Sequence, residues 1–136
     1  MNTNLLPPQF RFLIDDLGFR IVASEVASIF DNMFVDISND SLNVRVAHDR
    51  VFLDAEVSPP FAPDKWLPLG HLRQVAMGRD LMENVTIDEQ AEFLRFHFPA
   101  IVEMLSEKNL ETTVIQIRNV GRDRFKKRFP GSVRDP

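Results

Sequence analysis

The residue pattern predicts an α+β domain, an antiparallel β-meander of three or four strands packed on one face by an amino-terminal helix and by carboxyl-terminal helices. Three observations carry this. Residues 32–57 alternate apolar and polar side chains with a period of two, interrupted at two short polar turn signals. The segments after them repeat their apolar residues at helical spacing, as does the opening one. The chain has 136 residues, 44% hydrophobic and 26% charged, the size and balance of one folded domain over 1–136. A chain of this size buries roughly 68% of its unfolded surface.

Residues 1–7 are expected to fray. Pro7 and Pro8 precede Phe10, Leu13, Ile14 and Leu17, which share one helical stripe, and Gly18 follows where a left-handed cap is wanted. Residues 19–24 are β-branched and aromatic enough for a strand. Phe19, Ile21 and Ala23 compete with Val22 and Val26 as its buried face, so its register stays open. The next three strands read more closely. Residues 32–38 place Met33, Val35 and Ile37 on one face, 41–47 place Leu42, Val44 and Val46, and 50–57 place Val51, Leu53, Ala55 and Val57. Asn39-Asp40 and His48-Asp49 are expected as two-residue turns. They would set Ile37 opposite Leu42, Val35 opposite Val44 and Met33 opposite Val46, then Val46 opposite Val51 and Val44 opposite Leu53. A one-residue slip in either hairpin would set apolar against polar.

Pro59, Pro60 and Pro63 keep this stretch out of the ladder, since proline lacks the donor, and it crosses over in extended form to a helical half. Trp66 is an anchor ahead of Pro68, the expected first residue of a helix carrying Leu69, Leu72, Val75 and Ala76 and stopped by Gly78. After a loop over 79–85, Thr86 and Glu89 form a T-x-x-E capping box. Ala91, Leu94, Phe98, Ile101, Val102 and Leu105 then make a buried stripe, with Phe93 and Phe96 lying off it. Pro99 either kinks that helix or starts a second. Leu110, Val114, Ile117, Gly121 and Phe125 have helical spacing and are read as a last helix, although 114–118 alone could be a strand. Pro130-Gly131 ends it, and 130–136 are expected to fray.

The absence of cysteine excludes disulfides, thiolate zinc sites and thiol nucleophiles, and makes the cytoplasm the expected compartment. No apolar run approaches the ~20 residues needed to cross a bilayer, and the first residues lack the basic and apolar parts of a secretory signal. The net charge of -4 hides a split. Residues 1–117 hold 18 acidic against 9 basic side chains, leaving -9, and residues 118–136 hold 7 basic against 2 acidic, leaving +5. An acidic body attracts basic partners and repels phosphate backbones. The basic end, with Arg122, Arg124, Lys126, Lys127 and Arg128, makes nucleic-acid association the alternative function. The same charges equally suit the carboxyl end of a helix dipole or docking on the acidic body, so nucleic acid is the disfavoured partner.

The expected pairing also determines the outward face. Phe34, Arg45 and Phe52 fall in one row, Asp36, Asn43 and Asp54 in the next, and Glu56 beyond. With strands about 4.8 Å apart, Arg45 would lie between two rings within stacking reach of both. Aromatic residues and arginine are enriched at binding hot spots. Phe34, Asp36, Arg45, Phe52, Asp54 and Glu56 are therefore the candidate partner-binding residues, unless another segment, such as the closing helix, covers the row. The backbones of Asp36 and Asp54 would stand about 9 to 10 Å apart, just outside the upper end of the spacing inverting glycosidases use and far from the ~5 Å of retaining ones, a gap that side chains could partly close. A wet sheet surface gives no desolvation to separate an acid from a base. His48 in a turn, His71 and His97 form no ligand pair, and no nucleophile elbow, P-loop or dinucleotide glycine pattern occurs. The expectation is therefore no enzyme: no catalytic residue, no metal and no cofactor.

Leu17-Gly18-Phe19, the alternating strand from Leu42 to Val46, His48-Asp49-Arg50 at a hairpin, Trp66 with Leu67 to Leu69, and Phe93-Leu94 on a helix follow one another along the chain. This order resembles that of small bacterial immunity-type proteins encoded beside polymorphic or contact-delivered toxins. In those, an opening helix ends in a Leu-Gly-Phe-like step, a β-meander contains an Asp-Arg hairpin, and a Trp-Leu segment leads into carboxyl-terminal helices. The likeness covers most of the chain, and its motifs are structural. Val51 departs from the pattern, which has glycine or a polar residue after the Asp-Arg pair. The resemblance implies inhibition by binding to a cognate toxin, a protein partner whose basic surface would suit the acidic body.

Overall fold

Hydrogen bonding by one side chain decides where the first hairpin turns in the computed structural model, which describes residues 6–27, 32–49, 52–78 and 84–128. Asn39 Oδ1 accepts from the Ser41 and Leu42 N–H groups at 2.8 and 3.0 Å, and the Asn39 N–H donates to the Leu42 carbonyl at 3.2 Å. Asp40 and Ser41 are thus the turn, one position past the expected Asn39-Asp40. Asn39 competes with the ladder for its neighbours' donors, as short polar side chains do at turns.

A 3-10 turn over Pro8–Phe10 leads into α1 (Arg11–Leu17). Four strands follow, β1 (Arg20–Ala27), β2 (Asn32–Ser38), β3 (Asn43–Asp49) and β4 (Phe52–Ser58), then a two-residue β5 (Leu67–Pro68). The helices α2 (Leu69–Met77), α3 (Ile87–Phe96), α4 (Phe98–Met104) and α5 (Leu110–Arg128) complete the chain. The sheet runs β1-β2-β3-β4-β5 with every pair antiparallel. The class is α+β, as the sequence predicts, with one strand more than expected. Pro68 belongs to that strand and caps α2 in extended backbone, rather than starting the helix.

Both hairpins are displaced from the expected pairing by an even number of residues. Ile37 faces Val44 instead of Leu42, and Val46 faces Ala55 instead of Val51. In the second hairpin β3 and β4 stay paired through Asp49 and Phe52, so His48-Asp49 is strand and not turn. Arg50 and Val51 lie outside the described residues. An even slip keeps every side chain on its own face. Val35, Ile37, Val44, Ala55 and Val57 are accordingly fully buried, against Leu13, Leu69, Leu72, Leu94 and Ile101 of the helices. Burial of each such side chain stabilises the fold by about 1.5–3 kcal/mol relative to exposure.

β1 resolves its competing faces with a bulge. Ile21 faces Ile37, but Ala23 faces Asp36 and Ser24 faces Val35. One extra residue reverses the parity, so Ile21 belongs to the inward row before the bulge and the Val26 position does after it. Val22, at the irregularity, is left 55% exposed.

The helix ends follow their residue types. Gly18 takes the left-handed conformation at φ 72°, and the Phe19 N–H reaches the Leu13 carbonyl at 3.0 Å. Asn39 Nδ2 donates to the Leu17 carbonyl at 3.2 Å, tying the first hairpin to the end of α1. The Phe19 ring meets Phe98 edge to face at 5.9 Å. Thr86 and Glu89 form the expected reciprocal cap at 3.1 and 3.2 Å. Pro99 starts a second helix, since α3 stops at Phe96 and proline needs no donor in the first turn of α4. The last segment is helical throughout, and Thr113 Oγ1 donates to the Met104 carbonyl at 2.7 Å where α5 meets α4. Three further aromatic or apolar side chains join the core: Phe12, Phe93 and Leu6, the last 2% exposed within the stretch expected to fray. The remaining ends expected to fray, residues 1–5 and 130–136, lie outside the described residues.

Candidate functional site

The register rebuilds the outward rows. Asp36, Arg45 and Glu56 now face one another across β2, β3 and β4, and Phe34, Ala47 and Asp54 form the neighbouring row. The expected rows of Phe34 with Arg45 and Phe52, and of Asp36 with Asn43 and Asp54, do not form, because each turn closes later than its residue types indicate. Phe52 pairs with Asp49 at the far end of the ladder, and its side chain lies outside the described residues.

Arg45 is nevertheless held between two aromatic rings. Its guanidinium carbon lies 4.9 Å from the Phe34 centroid and 4.4 Å from that of Trp66, which takes the place expected for Phe52. Trp66 reaches it because the proline-rich crossover returns the chain beside β4, where Leu67 pairs with Val57 and Pro68 with Glu56. Arg45 Nε and Nη2 donate to the two carboxylate oxygens of Asp36 at 2.7 and 2.9 Å. This fork is the strongest geometry an arginine and a carboxylate adopt. The hydrogen bond to Asp36 raises the Arg45 pKa above its ordinary value, with the Asp36 and Glu56 charges acting in the same sense and burial against them. The side chains of Arg45 and Asp36 are 31% and 14% exposed.

Below this pair a polar ladder crosses three strands. Ser38 Oγ donates to Asn43 Oδ1 at 2.7 Å, and Asn43 Nδ2 donates to the buried Ser58 Oγ at 3.2 Å. Above it, Asp54 is exposed and Ala47 half-buried. The closing helix does not lie over the row: α5 packs on α2 within the helical layer. Four of the six candidate residues, Phe34, Asp36, Arg45 and Glu56, thus cluster around one guanidinium, Asp54 is one row away, and Trp66 completes the group. The signal for Trp66 was its place as an anchor just before the chain re-enters the fold. What it anchors against depends on the path of the crossover.

Elsewhere, His48 is half-buried on the inward side between Met33 and Leu53, not in a turn. His97 occupies the junction of α3 and α4 with its ring 5.4 Å from Phe93. It lines a shallow groove of about 210 Å³ with Arg73, Met77, Glu89, Glu92, Phe93 and Phe96. Phe96, 67% exposed, and Glu92 also line a second groove, of about 290 Å³, with Gln9, Asp88, Ala91 and Arg95. Neither groove includes Asp36 or Asp54. Among the described residues no three histidine, aspartate or glutamate side chains converge as metal ligands, and no helix is long and apolar enough to cross a membrane. The α5 backbone continues through Arg128, which places Arg122, Arg124, Lys126, Lys127 and Arg128 on that helix, their side chains outside the described residues.

No protein-family model, no curated protein and no solved structure matches the chain.

Proposed function

We propose that the chain is a non-catalytic protein-binding domain, an immunity-type inhibitor acting in the cytoplasm that neutralises a cognate toxin through its outward sheet face. The observation that supports this reading is the Phe34–Arg45–Trp66 stack, fixed by the fork to Asp36. Aromatic and guanidinium groups dominate interface hot spots, and side chains already immobilised in the free protein lose little entropy on binding. The core lies on the opposite side of the sheet, so this face is available for recognition without disturbing the buried apolar layer. The resemblance to immunity-type proteins supports the same reading.

The test is co-expression with the product of the gene adjacent to this one. Supporting results are growth arrest by the neighbour alone, rescue by the wild-type chain, and loss of rescue in Arg45→Glu at unchanged expression. A harmless neighbour that the purified chain does not bind overturns the proposal. Tight duplex binding that vanishes when Arg122, Arg124, Lys126, Lys127 and Arg128 are neutralised replaces it with the nucleic-acid reading.

A further inference from the structure

A guanidinium carries N–H donors on three nitrogens, and the fork to Asp36 occupies only the edge formed by Nε and Nη2 of Arg45. The Nη1 edge has no acceptor among the described residues. Nor is it sealed, since Ser106 Oγ is the one side-chain nitrogen or oxygen among the described residues that is both buried and without a partner. Nη1 of this half-buried side chain therefore meets solvent. The rest of the group is held in place, with the Phe34 and Trp66 rings at 4.9 and 4.4 Å from the guanidinium carbon and Asp36 setting its rotation. Asp36 and Glu56 face Arg45 from the strands on either side, so one cation stands between two carboxylates and the cluster keeps an excess negative charge.

We infer that the open Nη1 edge of Arg45 receives a neutral carbonyl oxygen from a peptide group of the partner protein, with the Phe34 and Trp66 rings beside it. The inference rests on the outward face being the contact surface, and it adds the chemistry of the group that meets Arg45. Charge selects that group by elimination. A cationic side chain offers a donor and no lone pair to another donor. A carboxylate or phosphate has lone pairs but meets the excess negative charge of the cluster, and like charges brought together cost affinity. A carbonyl accepts without that cost. Because Nη1 is positioned before the partner arrives, the bond forms without immobilising a long side chain, a loss that an unrestrained arginine would incur on binding.

Benzamide, benzoate and benzamidine share one shape and differ in charge, and they serve as the probes. Each is titrated into the isotope-labelled full chain while the Arg45 Nε–H and the indole N–H of Trp66, the sole tryptophan, are followed by NMR. Benzamide should shift both signals saturably, with half-saturation at about 1–10 mM, the range for a ligand of this size. Benzoate at matched ionic strength and benzamidine should bind about tenfold more weakly. Arg45→Lys should lose the benzamide response, since an ammonium keeps the charge but not the planar edge. Glu56→Gln should leave benzamide binding unchanged and strengthen benzoate binding about threefold, a change that a merely structural Glu56 would not produce. Benzoate or benzamidine binding as tightly as benzamide overturns the inference, as does a benzamide titration without saturable shifts or a response retained in Arg45→Lys. Any of these with growth rescue still lost in Arg45→Glu removes the carbonyl contact and leaves the inhibitor reading intact. A harmless neighbour removes the inhibitor reading and leaves the benzamide result standing, so the two failures are distinguishable.

Discussion

Arg45 concentrates the face's chemistry in one side chain. Replacing it with alanine removes two charge-assisted hydrogen bonds and leaves Asp36, only 14% exposed, without its cation. Hydrogen bonds to charged groups contribute about 1.5–3 kcal/mol, and the 31% exposure of Arg45 places the expected loss near the lower bound. Urea denaturation should therefore show Arg45→Ala about 1.5–2 kcal/mol less stable than wild type. Arg45→Lys should recover less than half of that, since an ammonium matches neither the fork nor the stack between rings. The pH dependence has a definite sign. A group whose pKa is raised by folding contributes stability below its ordinary pKa and loses it only as pH rises through the folded value. For Arg45 that window lies above the ordinary guanidinium range. The stability difference between wild type and Arg45→Ala should thus stay flat from about pH 6 to 10 in denaturation at several pH values.

Element boundaries rest on a few residues with defined conformational tasks. Gly18 is left-handed with open space where a Cβ would stand, so Gly18→Ala should cost about 1–2 kcal/mol from backbone strain alone. Thermal unfolding that leaves the midpoint unchanged would contradict the cap. Gln90 of α3 reaches the sheet: its Oε1 accepts the Ala55 N–H at 3.2 Å and its Nε2 donates to the Val85 carbonyl at 3.1 Å. Gln90→Leu keeps the volume but removes both hydrogen bonds and leaves the Ala55 N–H with the Asp54 carboxylate at 3.0 Å, for an expected loss of about 1 kcal/mol by denaturation. These boundaries also show what the sequence could reveal. Among the described residues, alternation along the three strands of 32–57 separated the apolar inward residues from the outward ones, because parity survives any even slip, although His48, read as turn, joins the inward side. It could not tell which outward residues share a row, because that depends on where each turn closes. Asn39 closes the first hairpin through its own Oδ1, a choice between conformations that its residue type permits equally. The bulge in β1 is a similar case: neither competing face holds along the whole strand, since Ile21 is inward before the bulge while Ala23 pairs with outward Asp36 after it and Val22 is exposed. The Trp66 contact was beyond reach because it joins Arg45 to a residue 21 positions away through an irregular crossover.

At the scale of the whole molecule, charge and layering divide the surface into distinct regions. The -9 of residues 1–117 predicts that association with a basic partner slows by roughly tenfold or more from low to physiological salt, measured by stopped flow, with dissociation changing far less. A salt-independent association rate would contradict steering by the acidic body. The sheet also has an outer limit. β1 pairs with β2 on one side and has no described strand on the other. Its bulge at Val22, near the start of the strand, throws the outer row of peptide groups out of step. A straight strand from a neighbouring molecule would find donors and acceptors aligned on one side of that point and misaligned on the other. The ladder therefore cannot propagate from copy to copy, and crowded molecules of this protein are shielded from fibre growth along the edge where a regular strand would invite it.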